Sequence, residues 1–167
     1  MKIRTLFAFI ASAALAAAAP AQTKVSGTVR CSRPDPAYAI PIGDQPGHTY
    51  GLSKSVCTWT TPMEIAGIAT KDGADVGSSE MQVGKSMENG VHWSTMTNGD
   101  KMFVRYHGTS MLDKDGNPTA SEGHWAFTGG TGKIEGITGN GTYKGKANAD
   151  GSFTFEVEGH YRVPMMK

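Results

Sequence analysis

The chain has 167 residues, 38% of them hydrophobic and 19% charged, with 16 Lys and Arg against 15 Asp and Glu. So even a balance, with no run of basic residues, excludes the electrostatic footprint of a nucleic-acid binder or of a protein held on an anionic membrane. No amphipathic helix of ordinary length and no fixed-period repeat is visible, which leaves strands and turns to build the fold.

Met1 to Ala21 reads as a signal peptide. Lys2 and Arg4 precede an apolar run from Leu6 to Ala18, and Ala19-Pro20-Ala21 offers small residues for cleavage. The run of 13 residues is short of the ~20 that span a bilayer. Cleavage after Ala21 takes 21 residues from 167 and leaves 146, one domain over 22–167. It also removes Lys2 and Arg4, leaving 14 basic against 15 acidic residues, a net charge of about −1. The expected location is periplasmic or secreted, with no membrane contact after cleavage and no nucleic-acid partner.

Cys31 and Cys57 both fall in the exported part, where an even pair is most simply a disulfide. Their spacing fits neither a Cys-x-x-Cys redox pair nor a zinc knuckle. Between them, 33–48 is punctuated by proline and glycine and has little strand pattern, so it reads as a loop tied down by the bridge.

Strand candidates are Val25–Val29, Ser55–Thr60, Met63–Ala69, Ser79–Val83, Val91–Thr97, Lys101–Leu112, Gly123–Thr128, Gly139–Lys146 and Ser152–Val163. Turns are expected at Lys71-Asp72-Gly73, Glu88-Asn89-Gly90, Asn98-Gly99-Asp100, Asp113 to Pro118 and Asn148 to Gly151. The last strand has the cleanest pattern: Phe153, Phe155, Val157, Tyr161 and Val163 alternate with Thr154, Glu156, Glu158, His160 and Arg162, so one face is core and the other is wet. The fold class is therefore all-β, an antiparallel barrel of about eight strands with one disulfide.

Ahead of that strand, glycines at 129, 130, 132, 136, 139, 141 and 145 exclude helix. Gly129-Gly130-Thr131-Gly132-Lys133-Ile134-Glu135-Gly136-Ile137-Thr138-Gly139 resembles the glycine-rich hairpin of the allene oxide cyclase and dirigent barrels. It is also similar to uncharacterised secreted bacterial proteins of that barrel type. The resemblance implies a barrel whose cavity shapes a lipid-like or aromatic substrate, hence an isomerase or cyclase as the alternative to a binding module. The arginine that follows the turn in dirigent proteins is absent, because this chain reads Ile137-Thr138-Gly139, and no catalytic residue carries over.

The residues mark no chemistry of their own. Asp113-Lys114-Asp115-Gly116-Asn117 has its glycine fourth and His124 at position twelve, which does not fit an EF-hand. His48, His92, His107, His124 and His160 show no metal-ligand spacing, and no nucleophile elbow surrounds any serine. Neither a metal nor a cofactor is expected.

Strand phase places Met102, Val104 and Tyr106 inward, and apolar character places Trp93 and Trp125 inward rather than His92 and His124. Trp93, Tyr106, Trp125, Tyr143 and Tyr161 are then the candidate ligand-binding residues, in an interior without ionisable groups. Such a barrel is either filled by its own side chains or left with room for one small ligand, and the residues leave both open. If there is room, the partner is a small apolar molecule oriented by one or two hydroxyls, and charged ligands bind poorly.

Overall fold

Side chains that alternate between core and solvent make strands, and here they close on themselves. The computed structural model describes residues 22–164; the leader predicted over Met1 to Ala21 lies outside them. The described residues form ten strands: β1 Thr23–Cys31, β2 Ala37–Pro41, β3 Thr49–Thr61, β4 Glu64–Ile65, β5 Ile68–Gln82, β6 Lys85–Met96, β7 Lys101–Leu112, β8 Pro118–Gly130, β9 Thr138–Ala147 and β10 Phe153–Arg162. From β5 to β10 each strand pairs antiparallel with the next, β10 pairs with β1, and β1 pairs with β3. The β3–β5 pairing closes the ring. The result is the expected eight-stranded antiparallel barrel.

Two short strands stand outside the ring. β4 adds one turn of pairing to β5, and β2 runs along β3 beyond the point where β1 ends. Cys31 and Cys57 are bonded, and they face each other in the β1–β3 register. The bridge therefore fastens the wall where the chain leaves β1. The segment expected to be loop holds β2, because Ala37 to Pro41 pairs with Thr49 to Ser53.

Two expected turns are strand interior instead. β5 runs through Lys71-Asp72-Gly73 with only a register shift, and β6 runs straight through Asn89-Gly90; the hairpin turn lies between them at Val83-Gly84. Neither Gly73 nor Gly90 has a positive φ. What they provide is close approach: a Cβ on Gly73 would lie 2.0 Å from the Trp93 carbonyl oxygen. The turns at Asn98-Gly99, Asp113–Asn117 and Asn148–Gly151 form as expected. In the second of these the Asp113 carboxylate accepts the backbone N–H groups of Asp115 and Asn117, both at 2.9 Å.

The two ends of the barrel differ. At the end where β3, β6 and β8 finish, Met63, Ile65, Met96, Met102, Ile134 and Ile137 are buried in one apolar cluster. The segment 131–137, with a 3-10 turn at Gly132–Ile134, carries the two isoleucines into this end. It is fastened to the β6–β7 turn by Asp100, which accepts the Lys133 N–H at 3.0 Å. The opposite end is open.

Candidate functional site

The open end follows from the size of its inward side chains. Gly51, Ser53 and Ser55 on β3, Ser79 on β5, Ser86 on β6, Ser110 on β7 and Ser121 on β8 line the interior there. Glycine and serine cannot fill an eight-stranded barrel. A cavity of about 920 Å³ runs from the mouth down to the apolar end. Trp59, Met63, Val104, Trp125, Phe127 and Val157 form its floor.

Between mouth and floor lies a polar belt, contrary to the expectation of an uncharged interior. Asp75 on β5, Glu88 and His92 on β6, Tyr106 on β7 and Tyr143 on β9 all face the cavity. Tyr106 donates its hydroxyl to Asp75 Oδ1 at 2.8 Å. Burial, reinforced by the charge of Glu88 and opposed by that hydrogen bond, pushes the Asp75 carboxyl up to about 7. Burial also pushes the Tyr106 and Tyr143 phenols upward, so both remain donors. Glu88 accepts from three hydroxyls: Tyr143 at 2.9 Å and Ser121 on Oε1, and Ser110 at 3.0 Å on Oε2.

His92 is driven the other way. Burial lowers it to about 4, so the ring is neutral at physiological pH. Its tautomer follows from its neighbours. The Trp59 indole N–H can only donate, and it donates to Ser94 Oγ at 2.8 Å; the Ser94 proton is then free to go to His92 Nε2, also at 2.8 Å. The imidazole proton is left on Nδ1, 3.9 Å from Asp75 Oδ2.

Glycines allow these tyrosines to reach across strands. The Tyr106 ring lies over Gly90, where a Cβ would meet its Oη at 2.3 Å, and so spans β6 to reach Asp75 on β5. Tyr143 lies over Gly108 and Gly123 in the same way, a Cβ at Gly108 meeting its Oη at 2.1 Å, and reaches Glu88. The two rings meet edge to face with centroids 5.9 Å apart.

Of the five candidate residues, Tyr106, Trp125 and Tyr143 line the cavity. Trp93 does not. It pairs with Phe103 on the outer face, is 39% exposed, and lies under the Lys101 ammonium at 5.7 Å. A one-residue error of phase flips every side chain of a strand, and the correct phase turns His92 inward in its place. Tyr161 has the expected inward phase but belongs to the plugged end, where its hydroxyl accepts the Ala66 N–H at 2.9 Å. Asp75, Glu88 and His92 are the residues that sequence reasoning misses. The alternation Ser86, Glu88, Gly90, His92, Ser94 carries the signal, once a polar inner face is admitted.

Fold and site together define a class: an antiparallel eight-stranded barrel with a one-mouthed cavity, aromatic at the floor and acidic at the belt. No protein-family model matches the chain, and no curated protein matches it. Among solved structures it is similar to the pterocarpan synthase dirigent protein GePTS1, with a TM-score of 0.49 and 14% identity over 93% of this chain and 99% of that one. A likeness so distant carries no argument about chemistry, and the barrel rests on its own strand pairing.

Proposed function

We propose that this is an exported, disulfide-locked barrel, of the kind found in secreted bacterial proteins, that binds one small and largely apolar molecule through its open end. The observation that supports the reading is the cavity of about 920 Å³, within the range of small-molecule pockets, roughly 300–1,000 Å³. Its apolar floor takes the body of the ligand and its belt orients the polar end. The bonded Cys31–Cys57 pair suits an oxidising compartment. Among the described residues no helix is long and apolar enough to cross a membrane. Titration with the neutral dye N-phenyl-1-naphthylamine tests the reading. Saturable one-to-one fluorescence enhancement is expected, lost in Val104→Trp, which fills the floor; absence of binding to the folded wild type would contradict it.

The second reading, an isomerase or cyclase, draws on the Asp75–Tyr106 pair. A carboxyl that titrates near 7 beside a phenol donor suits general acid–base catalysis at neutral pH. Turnover of an epoxide or another reactive aromatic or lipid-like substrate, abolished in Asp75→Asn with dye binding retained, would select this reading over simple binding.

A further inference from the structure

The belt has an unbalanced charge inventory. Two carboxylates of the belt, Asp75 and Glu88, face the cavity and two more, Asp113 and Asp150, border its rim; among the described residues the only basic side chain that borders it besides the neutral His92 is Arg33, exposed at the rim. Glu88 is already held by three hydroxyls. Asp75 is held on one oxygen alone: Oδ1 takes the Tyr106 hydroxyl, while Oδ2 faces His92 Nδ1 across 3.9 Å, beyond hydrogen-bond reach. Aromatic rings share the cavity with them: Trp125 and Phe127 at the floor in edge contact at 5.0 Å, and Tyr143 of the belt against Phe155 at 6.0 Å.

We infer that the ligand is an organic cation: an ammonium group on an aryl or alkyl body, seated with its charge against Asp75 and Glu88 and its body on the aromatic floor. This rests on the reading of the barrel as a ligand-binding cavity, and it replaces the expectation that charged ligands bind poorly. Three features of the site act in the same direction. An ammonium pairs carboxylates that a neutral ligand leaves without a counter-charge, and it supplies the donor that Asp75 Oδ2 lacks. Aromatic faces attract cations through their quadrupoles. A carboxylate ligand meets repulsion from both sets of groups, and among the described residues no lysine or arginine lines the belt to offset its desolvation, Arg33 lying at the rim. A metal ion is a poorer occupant, because the described residues bring no three His, Cys, Asp or Glu side chains together in metal-binding geometry.

Isothermal calorimetry with one skeleton and three end groups separates the possibilities: 4-phenylbutylamine, 4-phenylbutanol and 4-phenylbutanoate, at low salt and about pH 8. The amine should bind at least about tenfold more tightly than the alcohol, and the acid more weakly than either. Asp75→Asn and Glu88→Gln should each remove most of the amine's advantage and leave alcohol binding within about threefold.

A readout on the wild type guards against misfolded variants. The groups that face Asp75 are Glu88 and His92 from β6, Tyr106 from β7 and Tyr143 from β9; His92 is neutral and both phenols protonated over about pH 5.5 to 8. An ammonium favours ionised Asp75, so amine affinity should rise across that interval while alcohol affinity stays level. Equal binding of amine and alcohol, or a level pH profile for the amine, overturns the cation assignment and leaves the cavity reading intact. Failure of the amine, the alcohol and the neutral dye alike overturns both.

Discussion

The two ends of this barrel are built from the same strands and do opposite things. At one end Met63, Ile65, Met96, Met102, Ile134 and Ile137 interlock; at the other, serines and glycines occupy the inward positions of those strands. The plugged end loses contacts and leaves a void when a side chain is shortened. The open end is already hollow, and its inward groups hydrogen-bond one another around that space. Apolar packing is concentrated at the first end, and hydrogen-bonded polar side chains around a cavity at the second. Closure of a β-barrel therefore does not require that its interior be packed throughout.

The sharpest way to break this division is to shorten a plug residue. Ile65→Ala should cost about 2–5 kcal/mol in urea unfolding, whereas Phe155→Ala, a half-buried ring against the cavity, should cost less, about 1–3 kcal/mol. Equal costs would mean that the cavity end is packed as well. Next is the bridge that fastens β1 to β3. The Cys31–Cys57 bond joins residues 26 apart, and the chain-entropy model gives a loop of that size roughly 3–3.5 kcal/mol. The double variant Cys31→Ser, Cys57→Ser should lose about that much in the same assay.

A smaller and more specific effect comes from the belt. Asp75 sits at about 7 in the fold against a usual 3.8, so between those values the native state keeps a proton that the unfolded chain has released, and stability falls as pH rises. His92, at about 4 against 6.5, has the reverse slope: the unfolded chain binds a proton that the native state refuses, so stability falls as pH drops. The two nearly cancel between about pH 4 and 6.5. Asp75→Asn should unmask the histidine slope, up to about 1.4 kcal/mol per pH unit, and be more stable than wild type at pH 8. His92→Gln should unmask the opposite slope. Urea midpoints across pH decide this, and a profile unchanged by both substitutions would show that neither group is shifted.

The smallest effect lies at the rim. His48 is 8% exposed, with Nδ1 on Asp44 at 2.7 Å and Nε2 on Glu80 at 3.0 Å. Its hydrogen bonds to Glu80 and then Asp44 raise its pKa above 6.5. Its stabilisation is present below 6.5 and lost as pH climbs through that raised value. Limited proteolysis of the β2–β3 connection should be faster at pH 9 than at pH 6, and His48→Gln should erase the difference.

Sequence exposes the barrel better than its contents, for a physical reason. β7 and β10 carry their apolar residues on the inner face, so period two gives their phase directly. β6 is inverted: Met87, Val91 and Trp93 lie outside, while Ser86, Glu88, Gly90, His92 and Ser94 lie inside. A rule that equates apolar with interior must choose the wrong face there, and with it lose Asp75, the neighbour of His92 in the β5–β6 register. Asn89-Gly90 and Asp72-Gly73 mislead as turns because their glycines serve close approach within a strand rather than reversal of the chain.

Native mass spectrometry of the protein purified from its own host, beside the Val104→Trp variant, measures directly whether the open end is occupied. The wild type should carry a non-covalent adduct of small-molecule mass that is shed on activation, and Val104→Trp should fold with the bond between Cys31 and Cys57 intact but carry none. Each protein at its own ligand-free mass, with neither taking up the dye, would contradict the assignment of the cavity as a binding site.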